Sequence, residues 1–356
     1  MSVRKILLDW YRLNQRVLPW RESRDPYMIW ISEVILQQTR VGQGLNYYLR
    51  FIERFPAIED LARSDEKEVL RAWQGLGYYS RARNLHAAAK DIFFNQNGVF
   101  PKTYDEMVRL KGIGPYTAAA IASIAFDQPY PVVDGNVLRF LSRYFGINVP
   151  VDKFHGKKMI HNKAFSLIDQ NQPGTFNQAI MEFGALQCRP GRPDCKSCPL
   201  KTSCYAYIND KVDLLPVTSK AKRQRIRYFY YLVITGKDEK GARQICLKKR
   251  EGKDVWKNLY DFPLIETERK IPEKILFSSS EWKKLIHGHT LVLTGKSHIY
   301  KHILTHQVIY SRFFIYRQTG VLYSNPPCIA VSLDEIDNYP VPRLVEQFLH
   351  DAKVGF

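Results

Sequence analysis

Four cysteines crowd into one short segment, Cys188, Cys195, Cys198 and Cys204, separated by six, two and five residues. Thiolates this close in sequence suit one metal centre, either zinc or a [4Fe-4S] cluster. Zinc ribbons favour two C-x-x-C knuckles, and the single knuckle here leans toward the cluster. Four buried free thiols would require four coincidences in one segment. Cys246 and Cys328 stand apart, so the cysteines read as a ligand set in a reducing compartment and not as a disulfide framework.

The second chemical signal is LKGIGPYTAAAIASIA, residues 110–125. Gly112 and Gly114 permit a tight hairpin with positive φ, Pro115 suits the first position of a helix, and the small residues beyond it allow close helix packing. Such a hairpin aims backbone amides at an anion, here a DNA phosphate, without reading sequence. An ordinary helix-to-helix connection is the plainer alternative. The charge balance favours the phosphate: 53 Lys and Arg against 35 Asp and Glu give +18, with an excess in both halves of the chain. A third signal is Asp134 in VVDGNV, an N-cap for a helix containing Val137, Leu138 and Leu141. A carboxylate there is expected to stay negative and to stabilise a nearby cation.

The elements that must hold these residues fall into two groups, as 356 residues suggest two domains. Residues 1–210 read as an all-α domain, with helical spacing at Ile6, Leu7, Trp10, Leu13 and Val17, at Phe140, Leu141, Tyr144 and Phe145, and at Phe176, Ala179, Ile180 and Phe183. Residues 211–227 read as an interdomain linker, basic from Lys220 to Arg227. Residues 228–356 read as α+β, with strands in YFYYLVIT, QICLKKR, HQVIYSRFFIY and CIAVSL, a turn at Lys237 to Gly241, and a closing helix near Arg343 to Asp351. No apolar run is long enough to span a membrane, so a cytoplasmic, DNA-associated protein with no membrane partner is expected.

The hairpin followed by the cysteine set resembles the helix-hairpin-helix DNA glycosylases that carry an iron-sulfur cluster, the endonuclease III group. Residues 18–40, LPWRESRDPYMIWISEVILQQTR, narrow the resemblance to the adenine DNA glycosylases of the MutY type. That resemblance makes Glu33 the catalytic acid and Asp134 its carboxylate partner. Ile29, Trp30, Leu36 and Gln37 surround Glu33 on a helix, a mostly apolar setting that should raise its pKa. Tyr116 follows the hairpin where bifunctional relatives have a Schiff-base lysine, which implies a monofunctional enzyme.

The same resemblance places Trp20, Arg21 and Gln178 against an extruded adenine and Asn136 near the sugar. Gln38, Thr39 and Tyr78 fall at the duplex facing it. Leu138 stands where some members have a lysine, and no role passes to it. WKNLYDFP at 256–263 and LTHQVI at 304–309 extend the likeness into a Nudix-like fold. Thr305 and His306 there correspond to the turn that reads 8-oxoguanine, with Leu304 in place of the usual aromatic residue. No run of Nudix metal-binding carboxylates occurs, so this domain is expected to recognise a base, not hydrolyse a nucleotide.

The implied function is base excision repair, removing adenine opposite 8-oxoguanine or guanine from double-stranded DNA, by a monomer. The competing readings are an endonuclease III-like glycosylase/lyase for damaged pyrimidines and a non-catalytic iron-sulfur DNA-binding protein.

Overall fold

The computed structural model describes residues 2–219, 224–252, 254–287, 290–324 and 327–352. Part of the basic run expected between Lys220 and Arg227 lies outside them. The chain divides into two compact units, Met1–Arg63 with Asn84–Lys220, and Ser64–Arg83 with Ala221–Phe356. Among the described residues no helix is long and apolar enough to cross a membrane.

The first unit is helical. Helix α1 (Val3–Asn14), capped by Ser2, presents Leu7, Leu8 and Tyr11 to a core built with α5 (Gly135–Phe145) and α7 (Pro173–Leu186). Phe140, Leu141, Phe176, Ile180 and Phe183 fill that core, as their spacing indicates. Leu13 and Val17 do not join it, being 86% and 85% exposed. Helix α1 ends at Asn14, so Val17 lies beyond it, whereas Leu13 is within the helix but on its exposed face.

Helix α2 (Pro26–Leu36) starts on an Asp25 cap with Pro26 in its first turn and is apolar nearly all round, which fits its burial. Helix α3 (Tyr104–Arg109), opened by a Thr103–Glu106 capping box, runs through the glycine turn into α4 (Pro115–Phe126). Gly112 has φ +84°, and a Cβ there would lie 2.5 Å from Asn84 Cβ, so this position requires glycine twice over. Helix α6 (Phe154–Leu167) lies between α5 and α7 in sequence and joins the same core through Ile160 and Ala164.

Among its described residues the second unit has eight strands: β1 (Arg225–Lys237), β2 (Arg243–Lys249), β3 (Tyr260–Asp261), β4 (Leu264–Thr267), β5 (Leu291–Lys296), β6 (Tyr300–Ile303), β7 (Gln307–Val321) and β8 (Cys328–Ser332). Their central order is β3-β2-β1-β7-β5, with β4 on β1, β6 on β7 and β8 on β2. β1 and β7 run parallel, with Tyr231 opposite Phe313 and their rings stacked 4.7 Å apart. The closing helix α8 (Arg343–Ala352) stacks Phe348 on the same Phe313 at 4.0 Å. The four expected strand segments are all strands. β4, β5 and β6 were not signalled, since their residues lack a sustained run of β-branched or aromatic types.

Ser64–Arg83 belongs to this unit through specific bonds. Gln74 donates to Glu346 at 3.1 Å, Arg83 to the Lys257 carbonyl at 2.9 Å, and Tyr79 to the Val341 carbonyl at 3.4 Å.

Candidate active site and nucleic-acid interface

Glu33 projects from the interior of α2 and is 8% exposed. Burial pushes its carboxyl up to about 7, against the lowering effect of a hydrogen bond from Tyr116 and of the Arg21 charge, with Asp134 adding to the rise. Ile29 and Leu36 line the space beside Glu33, and so do the polar groups of Arg21, Tyr116 and Asp134. Tyr116, on the first turn of α4, is half-buried, and desolvation of its phenol beside two carboxylates raises it well above the ordinary range. Its hydroxyl also reaches the Met181 sulfur at 3.6 Å.

Asp134 is the N-cap of α5, accepting from the Asn136 amide at 2.9 Å and the Val137 amide at 2.7 Å. The Asn136 side-chain amide adds a third bond at 2.7 Å. The cap expected at this position is present. Desolvation outweighs the donors and shifts the pKa upward.

These groups line one cavity of about 160 Å³ together with Trp20, Arg21, Thr39 and Gln178. Trp20 lies in the short Pro19–Arg21 turn, edge-on to Tyr48 at 5.1 Å. The Gln178 carbonyl oxygen accepts from Tyr11 at 2.7 Å. Gln38, at φ +58°, and Tyr78, at φ +48° and 46% exposed, are outside the cavity wall.

Sequence reasoning missed Glu182. It is 1% exposed, and it accepts from Arg21 at 3.1 and 2.8 Å and from Arg16 at 2.8 and 2.6 Å. Two guanidiniums and the Arg16 amide overcome the burial penalty and hold its carboxyl at about 2. Its position one turn after Gln178 on α7 was the available signal.

Arg139 was missed as well. Its guanidinium donates to Asn136 Oδ1 at 2.9 Å, to the Gly184 carbonyl at 2.6 Å and to the Cys188 carbonyl at 2.8 Å, so one side chain ties the α5 cap to the cysteine segment.

Cys188, Cys195, Cys198 and Cys204 line a second cavity walled by Phe140, Tyr144 and Leu200. Arg143 donates to the Cys188 sulfur at 3.6 Å and to the Leu215 carbonyl at 2.9 Å. Among the described residues no group of three or more His, Cys, Asp or Glu closes round a single ion. Four thiols facing one apolar-walled space, with a guanidinium on one of them, are a fitting donor set for an anionic iron-sulfur centre.

In the second unit, Thr305 and His306 form the exposed turn between β6 and β7, closed by a Leu304 amide bond to the Gln307 carbonyl at 2.8 Å. Asp261, from the WKNLYDFP segment, is buried and paired with Arg250 at 2.6 Å, and burial lifts its carboxyl to about 6.

A model of the HhH-GPD superfamily base excision DNA repair proteins matches residues 31–164, and a NUDIX domain model matches residues 230–351. A thermostable thymine-DNA glycosylase structure aligns at a TM-score of 0.54 and 28% identity, covering 58% of this chain and 95% of that one. An endonuclease III bound to DNA aligns at 0.50 and 22% identity over 59% of this chain and 99% of that one, a likeness of fold. With a buried acid, a capped carboxylate and a hairpin on this fold, the protein is a DNA glycosylase of the helix-hairpin-helix class joined to a Nudix-like domain.

The adenine DNA glycosylase of Buchnera aphidicola subsp. Baizongia pistaciae is 33% identical over 98% of this chain and 95% of its own length. That of Mus musculus is 44% identical over 58% of this chain and 42% of its own. The chain belongs to the adenine DNA glycosylase family.

Proposed function

We propose that this enzyme removes adenine paired with 8-oxoguanine or guanine in duplex DNA and leaves an abasic site without cutting the strand. The observation that carries this reading is Glu33, buried with a carboxyl at about 7, in one cavity with Asp134 and with a tyrosine, Tyr116, where an amine would be required for lyase chemistry.

In this mechanism adenine is extruded into the cavity, where Trp20, Arg21 and Gln178 contact it. Glu33 gives its proton to N7, and the glycosidic electron pair leaves with the base. The sugar becomes an oxocarbenium ion. Asp134, oriented by its cap bonds and by Asn136, stabilises that positive charge. Glu33, now a carboxylate, takes a proton from the water that adds to the anomeric carbon, which restores the acid. The backbone at Gly112 and Gly114 holds a phosphate of the duplex. Gln38, Thr39 and Tyr78 occupy the space facing the extruded base, and Thr305 and His306 read the opposite base.

Cys188, Cys195, Cys198 and Cys204 would hold a [4Fe-4S] cluster, which supplies a structural staple for a basic loop beside the DNA. The working partition along the sequence is a glycosylase domain to residue 210, a linker at 211–227 and a recognition domain from 228, with Ser64–Arg83 grouped with the second unit in the fold, in an intracellular monomer. Duplexes carrying adenine opposite 8-oxoguanine, adenine opposite guanine, and a damaged pyrimidine test the assignment in one assay. Adenine release from the first two, and none of the third, is expected. Preferential release of the damaged pyrimidine would establish the endonuclease III-like alternative.

A further inference from the structure

A second groove, of about 520 Å³, lies in the helical unit, and Tyr116 belongs to the walls of both it and the catalytic cavity. Its walls are apolar and aromatic. Tyr104 and Tyr130 stack face to face at 4.4 Å, Pro115 from the hairpin joins them, and Phe154, 83% exposed, stands at the mouth. Its polar rim is basic: Lys157, Lys158 and His161, all exposed on α6, line it and no carboxylate does. From Lys153 to Ile168 the sequence contains no Asp or Glu. The helix is fixed in place by Gly156, where a Cβ would come within 2.3 Å of the Pro150 carbonyl oxygen, so the lysines hold a set position over the groove.

Resting on the adenine glycosylase reading above, we propose that this groove is a binding site for the nucleotide next to the extruded adenine, on the same DNA strand. The argument is continuity and charge. Tyr116 lines both spaces, so a strand whose base occupies the catalytic cavity has the groove as its neighbour. An apolar wall with stacked tyrosines accepts a sugar or base face, and the lysines meet the phosphate that comes with it. Neither the catalytic chemistry nor the hairpin accounts for aromatic and basic residues arranged together there.

The test uses the full chain with a duplex carrying a non-cleavable adenine nucleotide opposite 8-oxoguanine. Binding is measured against salt concentration, together with interference by ethylation of single phosphates. In the wild type, ethylating a phosphate beside the adenine nucleotide should weaken binding. In a Lys157→Ala, Lys158→Ala double variant that sensitivity should vanish, and the slope of log affinity against log salt should fall by about 1 to 2. Phe154→Ala, a surface change that leaves the core intact, should weaken binding about five- to tenfold with the slope kept. Single-turnover excision at saturating enzyme should match wild type in both.

An ethylation pattern and salt slope unchanged in the double variant, with wild-type affinity in Phe154→Ala, would overturn the proposal. So would a change confined to the opposite strand. If the wild type released no adenine from any duplex, the enzyme reading would fail, while the ethylation map would still decide the groove.

Discussion

The Tyr78 hydroxyl and the Thr305 Oγ1 are 2.5 Å apart, a hydrogen bond between residues 227 positions apart in sequence. It lies within the sheet-bearing unit, to which Ser64–Arg83 belongs. A tyrosine at positive φ is thereby steadied by the turn proposed to read the opposite base. His306→Ala should lower the preference for adenine opposite 8-oxoguanine over adenine opposite guanine by roughly ten- to a hundredfold, the worth of one matched base-edge contact. Tyr78→Phe removes only the shared hydroxyl and should shift the same ratio less. Relative kcat/KM on the two duplexes below saturation checks both, and unchanged ratios would make the turn purely structural.

Glu33 must be protonated to act as the acid, so single-turnover excision should fall as pH rises through about 7. A raised carboxyl also means that the folded state holds its proton more tightly than the unfolded chain. Its contribution to stability is complete below the ordinary carboxyl range and is lost as pH rises through about 7. Glu33→Gln should bind the mispair, lose excision, and remove that segment of the stability profile. Near-native excision by Glu33→Gln would exclude the mechanism.

Glu182 has the opposite sign. Its lowered carboxyl contributes stability above the ordinary range, and this is lost as pH falls toward about 2. Glu182→Ala leaves Arg16 and Arg21 facing an empty position. It should cost about 3 to 5 kcal/mol, as breaking a buried ion pair does, read from denaturant unfolding. Where folded, the variant should raise KM, because Arg21 loses its orientation.

Removing the amine from the position after the hairpin predicts a monofunctional wild type: borohydride should trap no covalent DNA adduct. Tyr116→Lys should gain weak trapping, since an ε-amino group would then stand beside Glu33 and Asp134. Efficient strand cleavage by the wild type before heat or alkali would contradict this.

Anaerobically purified protein should be brown with about four irons per chain. Cys198→Ser should lose colour and thermal stability together. Stoichiometric zinc without iron or sulfide, after purification that permits cluster assembly, would refute the assignment.

Much of this was legible because short-range constraints write themselves into adjacent residues. The Asp134 cap, the glycine turn and the aromatic strands β1 and β7 each depend on neighbours in sequence. Glu182 and Arg139 escaped because their partners, Arg21 and Cys188, lie 161 and 49 residues away, and nothing local marks a carboxylate as one that will meet two guanidiniums. Val17 erred in the other direction, since an apolar spacing says nothing of where the helix stops, and Leu13 because an apolar residue within the helix can still face solvent.

At Gly184 a Cβ would lie 2.6 Å from the Asn136 carbonyl oxygen and 2.7 Å from its carbon, both of them backbone. The start of α5 is therefore a packing surface and an active-site wall at once, and the two duties share atoms that have no freedom to yield. A single added methyl at position 184 would push the Asp134 cap out of register with the sugar. An alanine there is thus expected to produce a folded but sluggish enzyme through a residue that meets neither base nor phosphate, a lesion that screening for contact residues would overlook.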